Sequence, residues 1–79
     1  MTNLIAFTKE SELTELTGLN HEELWDTGFN LDDWDIGFQL DTKIDGTHLW
    51  WLQDRMDCYC CGYEEVQYNG KYYYLVYHS

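Results

Sequence analysis

The strongest constraint on the fold of this chain is a β-hairpin signal in its last third, centred on the Asn-Gly dipeptide at 69–70. Segments rich in Tyr and Val flank the dipeptide at 64–68 and 71–77. Asn-Gly favours a two-residue type I′ turn, because both residues tolerate positive φ. Such a turn fixes the register of the two strands, so the sequence predicts that Val66 lies opposite Tyr73.

An alternating pattern of apolar and polar residues begins near residue 33 and predicts a further strand. Its apolar side would comprise Trp34, Ile36, Phe38, Leu40 and Ile44, and its outer side is acidic. Asp45-Gly46 then predicts a second hairpin, with residues 47–55 returning antiparallel. The spacing of apolar residues within 48–56 also fits a helix, so strand and helix both remain open there.

Two short helices are predicted before these strands. Thr8 can cap a first helix that ends at about Thr17. Asn20 and Glu23 have the spacing of a capping box for a second helix, which should end near Gly28.

The chain has 79 residues, no Pro and no Gly/Ser-rich linker, so residues 1–79 are expected to form a single domain. Four Trp, seven Tyr and three Phe supply apolar area that can offset chain entropy. The predicted fold class is α+β, with two short N-terminal helices packed on an antiparallel β-meander of about four strands. Trp34, Phe38, Trp51 and Tyr73 are expected in the core, and Trp50, Tyr72 and Tyr74 on the opposite sheet face.

Ten carboxylates and no Lys or Arg occur between Glu10 and Asp41, and the formal net charge is −11. Phosphate groups attract Lys and Arg, so this charge argues against direct binding of DNA, RNA or anionic lipid. A basic protein is the natural counterpart. The first residues lack the pattern of a signal peptide, and no apolar run has the length of a membrane span, so a soluble, cytoplasmic protein is expected.

The partner-binding surface is predicted in the second helix and the segment that follows it. There, closely spaced carboxylates could imitate a run of phosphates, and an aromatic side chain could anchor the contact. The predicted site residues are Glu22, Glu23, Asp26, Asp32, Asp33, Asp35, Asp41, Trp25 and Trp34. The acidic side chains on strands have a second explanation, which is protection of a sheet edge against aggregation.

Other chemistry has less support in the sequence. No motif for a phosphate loop or a metalloprotease is present, and no nucleophile has a recognisable partner, so the protein is not expected to be an enzyme. Cys58, Cys60 and Cys61 lack the two-residue spacing of zinc ligands, so no metal or cofactor is predicted and reduced thiols are expected. A metal or redox module at these cysteines stays an alternative hypothesis. An adaptor subunit with an aromatic contact face, formed by Trp50, Tyr72 and Tyr74, is another.

In composition, the whole chain resembles the small acidic inhibitors that bacteriophages encode against host defence. Anti-CRISPR proteins, restriction inhibitors and uracil-DNA glycosylase inhibitors belong to this class. The base-free acidic segment, the aromatic-rich short chain and the absence of Pro carry the resemblance. It implies a non-enzymatic nucleic-acid mimic whose partner is a basic nucleic-acid-binding protein, such as a nuclease or a defence complex.

Overall fold

A computed structural model of the chain describes residues 4–32, 34–43 and 61–78. The elements in chain order are β1 (Leu4–Phe7), α1 (Glu10–Thr17), α2 (His21–Thr27), β2 (Ile36–Leu40), β3 (Cys61–Tyr68) and β4 (Lys71–His78). The four strands form one antiparallel sheet in the order β1-β2-β4-β3. The predicted α+β class, with two short helices and a four-stranded antiparallel sheet, is confirmed.

The described strands differ in two respects from the predicted meander that follows two N-terminal helices. β1 precedes both helices, and its four residues, Leu-Ile-Ala-Phe, show no alternation that would have predicted it. β4 lies between β2 and β3, so these two strands are not neighbours in the sheet. The predicted hairpin at Asp45-Gly46 and the returning segment 47–55 lie outside the described residues.

The hairpin of β3 and β4 has the predicted turn and register. Asn69 and Gly70 both have positive φ, at 51° and 76°. Val66 lies opposite Tyr73, as a two-residue turn requires. The local signal was sufficient here because turn geometry alone determines which residues of a hairpin face each other.

Helix α2 begins with the predicted capping box and ends at the predicted glycine. The Glu23 backbone N–H donates to Asn20 Oδ1 at 2.9 Å, and the Asn20 N–H donates to Glu23 Oε1 at 3.1 Å. Gly28 ends the helix with a φ of 113°, a value that only glycine adopts without strain.

Helix α1 begins one residue later than predicted, with Lys9 rather than Thr8 at the N-cap position. A Lys side chain has no acceptor atom, so it cannot satisfy the free N–H groups of the first turn. The Glu12 carboxylate accepts instead the backbone N–H groups just before the helix, those of Thr8 at 3.2 Å and Lys9 at 3.1 Å. The predicted end of α1, at about Thr17, is confirmed.

The helices cover one face of the sheet. The helices and this face enclose a set of buried side chains, which we call the first cluster. Its buried residues are Phe7, Leu13, Leu24, Phe29, Val66, Tyr73 and Leu75. Leu13 of α1 and Leu24 of α2 are fully buried against the strands.

Gly37 of β2 lies opposite Phe7, and a Cβ at this position would overlap the Phe7 ring. The strand therefore needs glycine here for the aromatic ring to pack across it.

The second face of the sheet is also buried. Its cluster contains Phe38, Leu40, Tyr74 and Val76, each at most 3% exposed. The predicted placement of Tyr74 in an exposed aromatic patch is therefore wrong, and Tyr72 is half-buried. Phe38 and Tyr73 are buried as predicted, but on opposite faces. Trp50 and Trp51 lie outside the described residues.

Trp34 belongs to a different face from the one that the alternating pattern predicted. The pattern placed Trp34 with Phe38 and Leu40, but Trp34 precedes β2 and packs with the first cluster. Its ring meets Phe7 edge to face at a centroid distance of 5.5 Å. The strict alternation applies only from Ile36 onwards, where pairing with β4 holds the backbone extended.

Candidate functional site

Helix α2 exposes nearly all of its polar side chains. Of its seven residues, Leu24 is the one that is buried, while Glu22, Glu23, Trp25 and Asp26 are all exposed. Residues four apart lie on the same side of a helix, so Glu22 and Asp26 form an outward pair with a rise of about 6 Å between them. We call Glu22, Glu23, Trp25 and Asp26 the α2 surface. It combines three negative charges with one aromatic ring.

His21 holds the aromatic ring of the α2 surface in place. The Trp25 indole Nε1–H donates to His21 Nε2 at 3.1 Å, and the two rings meet at a steep angle of 75°. On its other side, His21 Nδ1 lies 3.0 Å from both carboxylate oxygens of Glu10. Because Nε2 accepts a hydrogen bond, the proton of the neutral ring is on Nδ1, from which it is donated to Glu10. Trp25 is 40% exposed, and its hydrogen bond to His21 holds the ring in one orientation.

His21 and Glu10 were not among the residues that the sequence predicted for the site. His21 and Trp25 are four residues apart on α2, a spacing at which side chains of one helix meet. That spacing is a sequence signal that could have identified the pair. The contact to Glu10 joins α2 to α1 across eleven residues, and it follows only from the packing of the two helices.

Trp34 is less suited than Trp25 to contact a partner. It is half-buried and packs against Phe7 and the first cluster. The packing energy of this ring stabilises the fold itself. Of the two predicted aromatic anchors, Trp25 therefore has the exposed surface that a partner could bury.

The remaining predicted acids are spread along the chain after α2. Asp32 is exposed, and its backbone N–H donates to Asn30 Oδ1 at 3.1 Å. Asp35 is exposed just before β2. Asp41 is half-buried just beyond the other end of β2, so about 20 Å of extended chain separates it from Asp35. Asp33 lies outside the described residues.

Few cations balance these carboxylates, since the chain has four Lys and Arg residues against fifteen Asp and Glu. Lys43 and Glu65 form an ion pair at 3.8 Å, whereas the neutral His21 ring contacts Glu10 through a hydrogen bond at 3.0 Å. Neither helix has a basic residue in its last turn. Instead, Glu15 occupies the last turn of α1 and Asp26 that of α2, where the helix dipole disfavours a negative charge. These two positions lower the stability of the helices.

The described part of the chain contains no candidate metal site and no candidate membrane span. Among those residues, no group of three or more His, Cys, Asp or Glu side chains could hold a metal ion. Cys58 and Cys60 lie outside them, and Cys61 begins β3. No helix of the described residues is long and apolar enough to cross a bilayer.

Comparisons of the chain with protein-family models, with curated proteins and with solved structures found no match.

Proposed function

We propose that this protein is a non-enzymatic inhibitor that occupies the basic nucleic-acid-binding surface of another protein, such as a nuclease or a defence complex. The α2 surface would make the central contact. Asp32, Asp33, Asp35 and Asp41 would add further negative charge along the following chain. The observation that carries the proposal is Asp26, an exposed carboxylate in the last turn of a helix without any cation there.

The charge on α2 supports binding rather than folding. Glu22 and Asp26 are like charges four residues apart, which repel each other within the helix. Asp26 also opposes the helix dipole, at a cost of roughly 0.3–1 kcal/mol. Glu23 differs, because its carboxylate caps the N-terminus of α2 and contributes to stability. A basic cleft would remove the repulsion between Glu22 and Asp26 by neutralising both charges.

Trp25 gives the proposed interface an anchor. Interface energy is concentrated in a few desolvated side chains, and Trp is prominent among them. The hydrogen bond from Trp25 to His21 restricts the ring before binding, so less conformational entropy is lost when a partner covers it. Charge steers the encounter, and the ring would then contribute to the lifetime of the complex.

A capture experiment with competition by nucleic acid tests the proposal. The immobilised protein is incubated with host lysate at low salt, and captured proteins are eluted with NaCl or with a DNA or RNA duplex. We expect a basic nucleic-acid-binding protein that is released by salt and displaced by the duplex, because both ligands would use one surface. A captured partner that binds this protein and nucleic acid simultaneously would contradict mimicry.

Charge-neutralised variants locate the interface. The double variant Glu22→Gln/Asp26→Asn should slow association with the captured partner by about tenfold or more, with a smaller change in dissociation. Glu64→Gln is the matched control, because Glu64 is an acid on β3 and lies outside the α2 surface. If Glu64→Gln slowed association as much as Glu22→Gln alone, net charge rather than the α2 surface would be responsible.

A further inference from the structure

A shallow groove of about 220 Å³ runs between α1 and β1. It is lined by Ile5, Ala6, Phe7, Glu12, Glu15 and Leu16. Consecutive strand residues point to opposite faces of a sheet. A groove that touches three consecutive residues of β1 therefore follows the backbone of this strand rather than one face. Ile5 is 46% exposed and Ala6 is also exposed, so the part of β1 that lines the groove is open to solvent.

β1 lies at one border of the sheet formed by the described strands, and its four residues include no charged side chain and no Pro. Natural edge strands carry charged residues or Pro, which discourage pairing with another chain. β1 consists of Leu4, Ile5, Ala6 and Phe7, without either feature. β3, at the other border, carries Glu64 and Glu65. Of the two border strands that the structure describes, β1 therefore has the fewer charges to oppose pairing with another chain.

The groove also contains a carboxylate that is available to a ligand. Glu12 accepts backbone N–H groups at the start of α1 and is therefore engaged within the fold. Glu15 is exposed and has no ion pair or hydrogen bond within the part of the chain that the structure describes. An apolar strand edge beside a free carboxylate is complementary to an extended segment that carries both apolar and basic side chains.

We propose that the outer edge of β1 binds an extended segment of a basic protein, which adds a fifth strand to the sheet described here. Backbone hydrogen bonds to β1 would supply affinity, the apolar side chains would contact Ile5 and Leu16, and a Lys or Arg would pair with Glu15. This surface is additional to the α2 surface and does not depend on it.

A second copy of this chain is a poor occupant of the same edge. Pairing β1 with β1 would bring together two chains that each have a formal charge of −11, with Glu12 and Glu15 of both copies near the contact. Such like charges oppose association. Charge therefore favours a basic partner over a homodimer.

A peptide titration followed by NMR tests the proposal. The probe is a capped peptide of about seven residues that alternates Lys and Val, the length of an ordinary strand. We expect its addition at near-physiological salt to shift the backbone amide signals of β1 and α1. The matched probe carries the same side chains but is methylated at its backbone nitrogens, so it cannot donate the hydrogen bonds of a strand. It should bind at least about tenfold more weakly. Equal binding of the two peptides would overturn the proposal.

Variants distinguish binding of the peptide at the β1 edge from general attraction between opposite charges. Ile5→Lys changes an exposed side chain and places a repelling charge on the edge, so it should abolish binding of the peptide while the spectrum remains that of a folded protein. Glu15→Gln should weaken binding several-fold, and Glu22→Gln on α2 should not. Amide shifts centred on α2, or equal effects of the two Glu substitutions, would refute strand addition at β1. Neither result would contradict binding of a basic partner at the α2 surface.

Discussion

At the scale of single residues, His21 has the most consequential position in the molecule. It accepts a hydrogen bond from Trp25 and donates one to Glu10, so one imidazole links the exposed ring of α2 to α1. The side chains of His21 and Glu10 are 60% and 40% exposed, and exposed pairs of this kind contribute less than about 1 kcal/mol to stability. We infer that the arrangement serves to orient Trp25 more than to hold the helices together.

The variant His21→Ala tests this role. We expect the Trp25 indole N–H signal in NMR spectra to move towards that of a solvent-exposed indole, with a loss of less than about 1 kcal/mol in the free energy of unfolding. Glu10→Gln serves as the comparison, because it removes the charge while an acceptor oxygen for Nδ1–H remains. An unchanged indole signal in His21→Ala would show that the ring is held by other contacts.

At the scale of elements, the two ends of α2 differ in what a negative charge does to them. The acids of the first turn, Glu22 and Glu23, lie where the helix dipole favours them, and Glu23 also completes the capping box. Asp26 lies in the last turn, where the dipole disfavours it. A helix selected for stability alone would carry a cation at that end.

The substitutions Glu22→Lys and Asp26→Lys make the same change of charge at opposite ends of α2. Both relieve general repulsion in a chain of charge −11, so their difference isolates the position in the helix. We expect Asp26→Lys to be more stable than Glu22→Lys by about 1 kcal/mol in urea denaturation. Both should weaken binding to the basic partner. Stronger binding by either variant would contradict the proposed function.

At the scale of the whole molecule, the excess of acids has opposite consequences for stability and for binding. Repulsion between carboxylates of one folded chain raises its free energy, and dissolved salt screens this repulsion. The same screening weakens attraction to a basic partner. Salt should therefore stabilise the fold and dissociate the complex.

Thermal unfolding followed by circular dichroism measures the first of these effects. The Debye length falls from about 30 Å to about 8 Å when ionic strength rises from about 0.01 M to about 0.15 M. We expect the Tm in NaCl to rise by roughly 4 °C or more over this range, which is equivalent to about 1 kcal/mol for a domain of this size. A Tm that falls with added NaCl would mean that attractive ion pairs outweigh the repulsion.

Local interactions account for the parts of this fold that the amino-acid order predicts. The turn at Asn69-Gly70, the capping box of α2 and the glycine that ends it each depend on the φ angles and hydrogen bonds of a few adjacent residues. The acidity of the predicted site is likewise present in the composition. A short stretch of sequence is therefore enough to predict each of these features.

Contacts between residues far apart in sequence determined the other features of the fold and of the site. Three features join parts of the chain that are far apart in sequence. They are the pairing of β1 with β2, the position of β4 between β2 and β3, and the packing of the Trp34 ring against Phe7. The same holds for the contact of His21 with Glu10, which makes Trp25 an oriented ring. No short segment contains the information for such contacts, because they depend on which apolar faces the whole chain buries together.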